Sequence, residues 1–577
     1  MRTPLLLASL LLLSTSAAAG TIHVNAGLAT GANDGTSWAN AYRGVDALVV
    51  AVAASVAGDE VWVAAGTYKP TTTTTRTISH ALKSGVAIYG GFVGNETALA
   101  QRDWSTNVTV LSGDIGSVGV VTDNSYHVIN AAGANATAVL DGFTVTDGNA
   151  NLASGNNDRG GGILCLSGAS PTVRNCRFLA NRCTFGGGAG YVNGASPTFV
   201  NCVFEANLGG SFGGAFDCNT TSTTWDRCTF IGNSAARAGA VEVFSTGTPR
   251  ILNCLFRGNT STGSGGGGAI WSSASPQIRN CTIVGNSSTT NATAGILVSG
   301  GAATIANCIV WDNSGPGGAQ GPANQIAGTT NVTYSIVEGG FAGTGNLNLD
   351  PGFTNAAGND YTLTLASPAV DAGNNASVPP GFTLDLAAKP RFADEPTVPD
   401  TGAGVAPLVD IGAYELVAPT VTAYCFGDGT GAACPCGNDA PFFSNQGCLH
   451  SLGSGGVLGS AGSARILSDT FVLLGTGMTN SSCLYFQGTT QVAGGLGTTF
   501  GDGLRCAGGA IVRLGTKSNV AGASQYPAAG DPAVSVRGLV SAAGSVRTYQ
   551  VWYRNAAVFC TGDTFNLTTA LQVTWEL

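Results

Sequence analysis

Six positions recur through the middle of this sequence at a nearly constant interval: Cys165, Tyr191, Asp217, Glu242, Trp271 and Leu297. Two are carboxylic acids and two are aromatic. If each interval is one turn of a repeating chain, Asp217 and Glu242 stand about 5 Å apart on neighbouring turns, with Tyr191 and Trp271 on either side. Two carboxylates at about that separation can act as acid and nucleophile in retaining glycoside hydrolysis, and aromatic faces stack on sugar rings. The same four residues can hold a sugar without cutting it, and mixed residues on a solvated strand can also share no role at all.

Other chemistries find less support. A polysaccharide lyase needs acidic Ca²⁺ ligands on adjacent turns together with an Arg or Lys base. The in-phase arginines Arg174 and Arg279 are four turns apart, about 19 Å, with no Asp pair between them. The histidines His23, His80, His127 and His450 are scattered singly, so no triad or metal centre is built from them, and each is expected at the surface or in a loop. No metal site is expected. Ca²⁺ enters only through the Gly-Asp-Gly stretches at 427–429 and 501–503, a pattern more often a simple turn.

The elements that position these residues are visible as repeats. Cys176, Cys202, Cys228, Cys254, Cys281 and Cys308 follow one another at a steady interval, most preceded by Asn, and five positions after each comes Asn181, Asn207, Asn233, Asn259, Asn286 or Asn313. Glycine clusters such as Gly160-Gly161-Gly162, Gly186-Gly187-Gly188 and Gly267-Gly268 recur in the same phase. Short apolar runs between Gly- and Asn-rich corners, with a period of about 26 residues and no helical periodicity, predict an all-β parallel β-helix whose equivalent side chains form ladders. Asn at the turns is expected to exchange amide hydrogen bonds between coils. Alternation places Leu164, Gly190, Phe216, Val241, Ile270 and Ile296 in one inward column and Leu166, Val192, Cys218, Val243, Ser272 and Val298 in another. The cysteine column and Phe178, Phe204, Phe230 and Phe256 are expected inside as well, the thiols as small hydrophobes.

The expected organisation is a signal peptide over 1–19, a cap and first coils over 20–138, regular repeats over 139–348 and a terminal β-helix segment over 349–416. A linker over 417–423 and a Cys-rich antiparallel β-sandwich over 424–577 follow. The leader is read from Arg2, the apolar run Leu5 to Leu13 and Ala17-Ala18-Ala19, with maturation at Gly20. Gly44 to Ala57, with Val45, Leu48, Val49, Val52 and Val56 along one side, is expected to form a helix over the open end of the coils. Cys425, Cys434, Cys436, Cys448, Cys483, Cys506 and Cys560 are expected to form disulfides in an exported chain. Seven is odd, so one stays free or pairs elsewhere, with Cys183 or Cys165 as the nearest alternatives.

Composition narrows the partners. The net charge is −9, and the lysines are only Lys69, Lys83, Lys389 and Lys517, so no polybasic groove exists for nucleic acid. No apolar run after the leader reaches the length of a membrane span. A monomer is expected.

The tetrads Gly267-Gly268-Ala269-Ile270 and Phe204-Glu205-Ala206-Asn207 resemble the repeats of polymorphic outer-membrane proteins, which are autotransported adhesins. Gly31 to Trp38, Gly66-Thr67-Tyr68, Ser367 to Gly373 and Asp410 to Glu415 resemble the motifs of secreted choice-of-anchor Q proteins, over roughly residues 20–416. The resemblance implies a right-handed, pectin-lyase-like β-helix at a bacterial cell surface or outer membrane, in a family without an established reaction. It departs at the tail, which is Cys-rich and too short for an autotransporter barrel; that tail resembles terminal modules of other large secreted bacterial proteins. The expectation is therefore a secreted or surface β-helix protein for adhesion or carbohydrate binding, contacting extracellular polysaccharide or cell-envelope components. The alternatives are a polysaccharide-degrading lyase or glycoside hydrolase working in the coil groove, and a purely structural envelope protein.

Overall fold

The computed structural model describes residues 19–557 and 559–577. The expected signal peptide lies outside the described residues except for Ala19. Two compact units are present, one ending at Leu416 and the other running from Val417 to Leu577.

The first unit is a parallel β-solenoid. In one coil, the strands Gly190–Asn193, Thr198–Val200 and Val203–Glu205 pair in parallel with Phe216–Asn219, Thr224–Asp226 and Thr229–Ile231 of the next. Strands from Gly66–Tyr68 to Ile336–Val337 make a ten-stranded sheet, one strand per coil, and an 18-stranded sheet forms most of the remaining wall. The strands are short because the corners between them are left-handed. Asn175, Asn201, Asn253, Asn280 and Asn307, each just before a cysteine, have φ between 50° and 53°. Asn is among the few side chains that tolerate that region. The second Asn column is the hydrogen-bonded ladder. Asn207 donates its backbone N–H and its Nδ2 to Asn233 Oδ1, both at 3.0 Å, and its Nδ2 also to the Phe178 carbonyl at 2.9 Å. The pattern continues from Asn181 through Asn313, all fully buried or nearly so, and ends on Gln325 Oε1 at 2.7 Å from Asn313 Nδ2.

Inside, the phenylalanines stack along the axis, closest at Phe230 and Phe256 with centroids 4.3 Å apart and rings 5° from parallel. The cysteine column is buried and unpaired into disulfides, each thiol lying against the carbonyl two positions earlier, as in Cys254 Sγ to Leu252 O at 3.0 Å. Both inward columns need correction in their first coil. Ile163, not Leu164, pairs with Gly190, and Cys165, not Leu166, pairs with Val192. The glycine clusters invite alignment of Gly160 with Gly186. The left-handed corner residues are instead Gly160, Gly187, Gly213, Ala238 and Gly267, and a slip of one residue exchanges the two faces of a strand.

Helix α1 (Ala47–Ala54) covers the end of the core, burying Ala47, Leu48, Ala51 and Val52 against Val24, Leu82 and Val86. Val45 and Val56, expected on the same face, flank the helix and are exposed. Residues 349–416 add no further coil. They form one antiparallel hairpin, Phe353–Asn355 with Asp360–Leu363, and then lie along the coils. The fully buried Arg391 donates to Asn253 Oδ1 at 3.1 Å, the Ala413 N–H to Thr282 Oγ1 at 3.0 Å and the Asn374 N–H to Asn307 Oδ1 at 2.8 Å.

The second unit is antiparallel, with sheets of six and three strands enclosing Leu473, Tyr485, Tyr549, Val551 and Trp575. Disulfides join Cys425 to Cys506, Cys434 to Cys448 and Cys436 to Cys560. The odd thiol is Cys483, buried 3.2 Å from Ser524 Oγ; Cys165 and Cys183 are buried and free, and neither takes part in a disulfide. In the two Gly-Asp-Gly stretches, Asp428 accepts hydrogen bonds from Thr430 and Asn445, and Asp502 from Thr561 and Asn555.

Candidate functional site

Strand register brings the predicted residues into one column: Tyr191 pairs with Asp217, Asp217 with Glu242, Glu242 with Trp271 and Trp271 with Leu297. Leu164 precedes Tyr191 in place of Cys165, which faces the core. The column is buried, without the open groove that the enzyme alternative invokes. Asp217 is 5% exposed, Glu242 1%, Tyr191 2% and Trp271 7%.

Two arginines cover the four residues. Arg237 binds both carboxylate oxygens of Glu242, through Nη2 to Oε1 and Nε to Oε2, the latter at 3.1 Å. Its guanidinium also lies 3.9 Å from the Trp271 ring centroid and 4.4 Å from that of Phe212. Arg159 repeats the arrangement, donating from Nη1 to Tyr191 Oη at 2.9 Å and sitting 5.0 Å from the Tyr191 ring and 4.0 Å from Phe185. The aromatic faces that sequence reasoning offered to a sugar are thus engaged by cation–π contacts. Asp217 is packed against Gly186, where any side chain would meet its Oδ2. Burial and the neighbouring Glu242 push its carboxyl up to about 7, against the pull of Arg159 and Arg237. Burial raises Glu242 too, with Arg237 opposing. The two acids are placed side by side, and what surrounds them neutralises and encloses them.

The other residues that sequence reasoning weighed have partners of their own. Arg174 pairs with Asp141 at 2.7 Å, and Arg279 donates to the Thr304 carbonyl and hydroxyl. Three histidines are buried instead of lying at the surface. His127 Nδ1 is 2.9 Å from the Gly160 carbonyl and His450 Nε2 is 2.9 Å from that of Gly477. His80 lines an apolar cavity of about 260 Å³ beside α1, where burial lowers it to about 4.

A more open site lies on the ten-stranded sheet. Leu179, Glu205, Ile231, Arg257, Val284 and Trp311 form one of its columns, and the hairpin of residues 353–363 runs beside it, tied by Arg257 Nη1 to Asn359 Oδ1 at 3.1 Å. Between them is a cleft of about 620 Å³. Trp311, Phe353 and Tyr361 line it, all half-buried, and the exposed acids Asp312 and Asp350 stand at its edge. Phe353 and Tyr361 meet edge to face with centroids 5.2 Å apart. Sequence reasoning passed over these residues, although a signal existed. Trp311 stands three positions after Cys308, where Leu179, Glu205 and Ile231 stand after their own cysteines.

Residues 74–283 match the family model described as "Right handed beta helix region", which gives the hand of the solenoid over that span. No curated protein matches the chain. A crystal structure of a pectate lyase aligns over 69% of this chain and 96% of its own, at 15% identity and a TM-score of 0.37; a likeness at that level says nothing of activity. Among the described residues no helix is long and apolar enough to cross a membrane.

Proposed function

We propose that this is a secreted or cell-surface, non-catalytic β-helix protein that binds extracellular polysaccharide or other cell-envelope components, with the cleft beside Trp311 as its contact. The observation that carries the reading is the contrast between the two sites. Tyr191 and Trp271 spend their faces on arginines. Trp311 and Tyr361 remain partly open, over a cleft edged by carboxylates that can accept from sugar hydroxyls. Three disulfides in the second unit suit an oxidising compartment, in keeping with the leader and with the resemblance to choice-of-anchor Q and polymorphic outer-membrane proteins.

One observation favours the enzyme alternative: Asp217 and Glu242 have unlike surroundings, one packed against Gly186 and one held by Arg237, a separation of roles that glycoside hydrolysis uses. Screening residues 20–577 on a glycan array, with product analysis on each retained glycan, separates the two. Binding without new reducing ends or unsaturated products supports the proposal. Cleavage that disappears in Asp217→Asn or Glu242→Gln replaces it with a glycosidase.

A further inference from the structure

We propose that Asp371, Asp394 and Asp400 form a site for one Ca²⁺ ion, which fastens the loop of residues 394–401 to Asp371. Carboxylate oxygens of the three lie within 4.8 Å of one another. Oxygens bound to one calcium ion at about 2.4 Å are at most about 4.8 Å apart, a limit that the three meet.

Asp371 supplies the second, independent observation. It is completely buried, and neither of its carboxylate oxygens makes a hydrogen bond to a described residue. Buried acids nearby are treated differently. Asp410 accepts from the N–H groups of Asp371 and Leu416, Asp385 from those of Lys389 and Glu415, and Glu415 takes the Arg391 guanidinium. An ionised carboxylate does not stay buried without compensation.

The backbone aims this carboxylate. Asp371 has φ 50°; its N–H donates to Asp410 Oδ1 at 2.7 Å, and its carbonyl accepts from the N–H groups of Thr401 and Gly402, each at 3.0 Å. Those last two bonds draw in the loop that carries Asp394 and Asp400, which Pro396 and Pro399 stiffen. Asp394 and Asp400 are exposed, so waters can complete the shell. Calcium accepts six to eight oxygens in flexible geometry, whereas magnesium demands a near-ideal octahedron, so this mixture of one fixed and two loop carboxylates suits calcium.

The test uses residues 20–577 stripped with EDTA and dialysed against CaCl2 at about 1 mM, the upper range for extracellular calcium modules. Bound calcium is counted and thermal unfolding is followed with and without it. Asp394→Asn/Asp400→Asn alters only exposed side chains and is the deciding variant, since Asp371→Asn sits in the interior and can fail to fold. The wild type is expected to hold one more calcium ion than the double variant and to unfold at a higher temperature with calcium than with EDTA, a shift the variant lacks. Equal calcium content in the two, or no bound calcium in the wild type, overturns the proposal.

Discussion

Asp217 and Glu242 pair across adjacent coils in unlike surroundings: Arg237 grips both oxygens of Glu242, while the Asp217 carboxyl lies against the Gly186 backbone. The result is an asymmetric pair. Glu242 is paired with Arg237, and burial and the neighbouring Glu242 push the Asp217 carboxyl up to about 7, so that below that pH the protonated form is favoured and a second buried charge is avoided.

That asymmetry predicts a pH dependence. Asp217 releases its proton near 3.8 when unfolded and near 7 when folded. Between those values the folded state binds more protons, so this group's contribution to stability falls as pH rises through the window. Asp217→Asn removes the penalty. The variant is expected to match the wild type near pH 4 and to exceed it above pH 7 by roughly 2–4 kcal/mol. The difference between the two proteins is the quantity to measure by thermal unfolding, because buried His80, lowered to about 4, gives the wild type an opposite slope. A difference that does not change with pH contradicts the assignment.

Removing Arg237 should be worse than removing the pair. Arg237→Ala leaves Glu242 buried without its cation and uncovers Trp271, an expected loss of about 3–5 kcal/mol. Arg237→Ala/Glu242→Gln should recover part of that loss in chemical denaturation. Equal losses in the single and double variants would mean that Arg237 matters through packing alone.

Asn259 is the centre of the amide ladder. Its Oδ1 accepts both the backbone N–H and Nδ2 of Asn233, and its own Nδ2 reaches Asn286 Oδ1 and the Phe230 carbonyl. Asn259→Ala orphans these buried partners and is expected to cost about 2–4 kcal/mol, while the exposed Asn95→Ala should cost under about 1 kcal/mol. Paired melting curves followed by circular dichroism decide it.

The ladders were legible in the sequence because each depends on spacing alone. A column of Asn or Cys at a constant interval has the same meaning wherever its coil sits, and the partners of Asp217 and Glu242 followed from counting. The slip at Cys165 arose where two glycine clusters offered competing registers and only the backbone angle distinguishes Gly186 from Gly187. What covers a column is a different kind of information. Arg159 and Arg237 come from corners of variable length, and nothing in their spacing says that they fold over Tyr191 and Trp271. The same holds for Asp371, whose partners Asp394 and Asp400 come later in the chain, in a loop without periodicity.

The most direct measurement is glycan-array binding of residues 20–577 beside two variants, Trp311→Ala and Asp217→Asn/Glu242→Gln. The account predicts that the wild type retains a polysaccharide without releasing products. Trp311→Ala should lose about tenfold or more in affinity while keeping its fold, and the acid-pair variant should bind as the wild type does. Undiminished binding by Trp311→Ala, or product release that stops in the acid-pair variant, would contradict it.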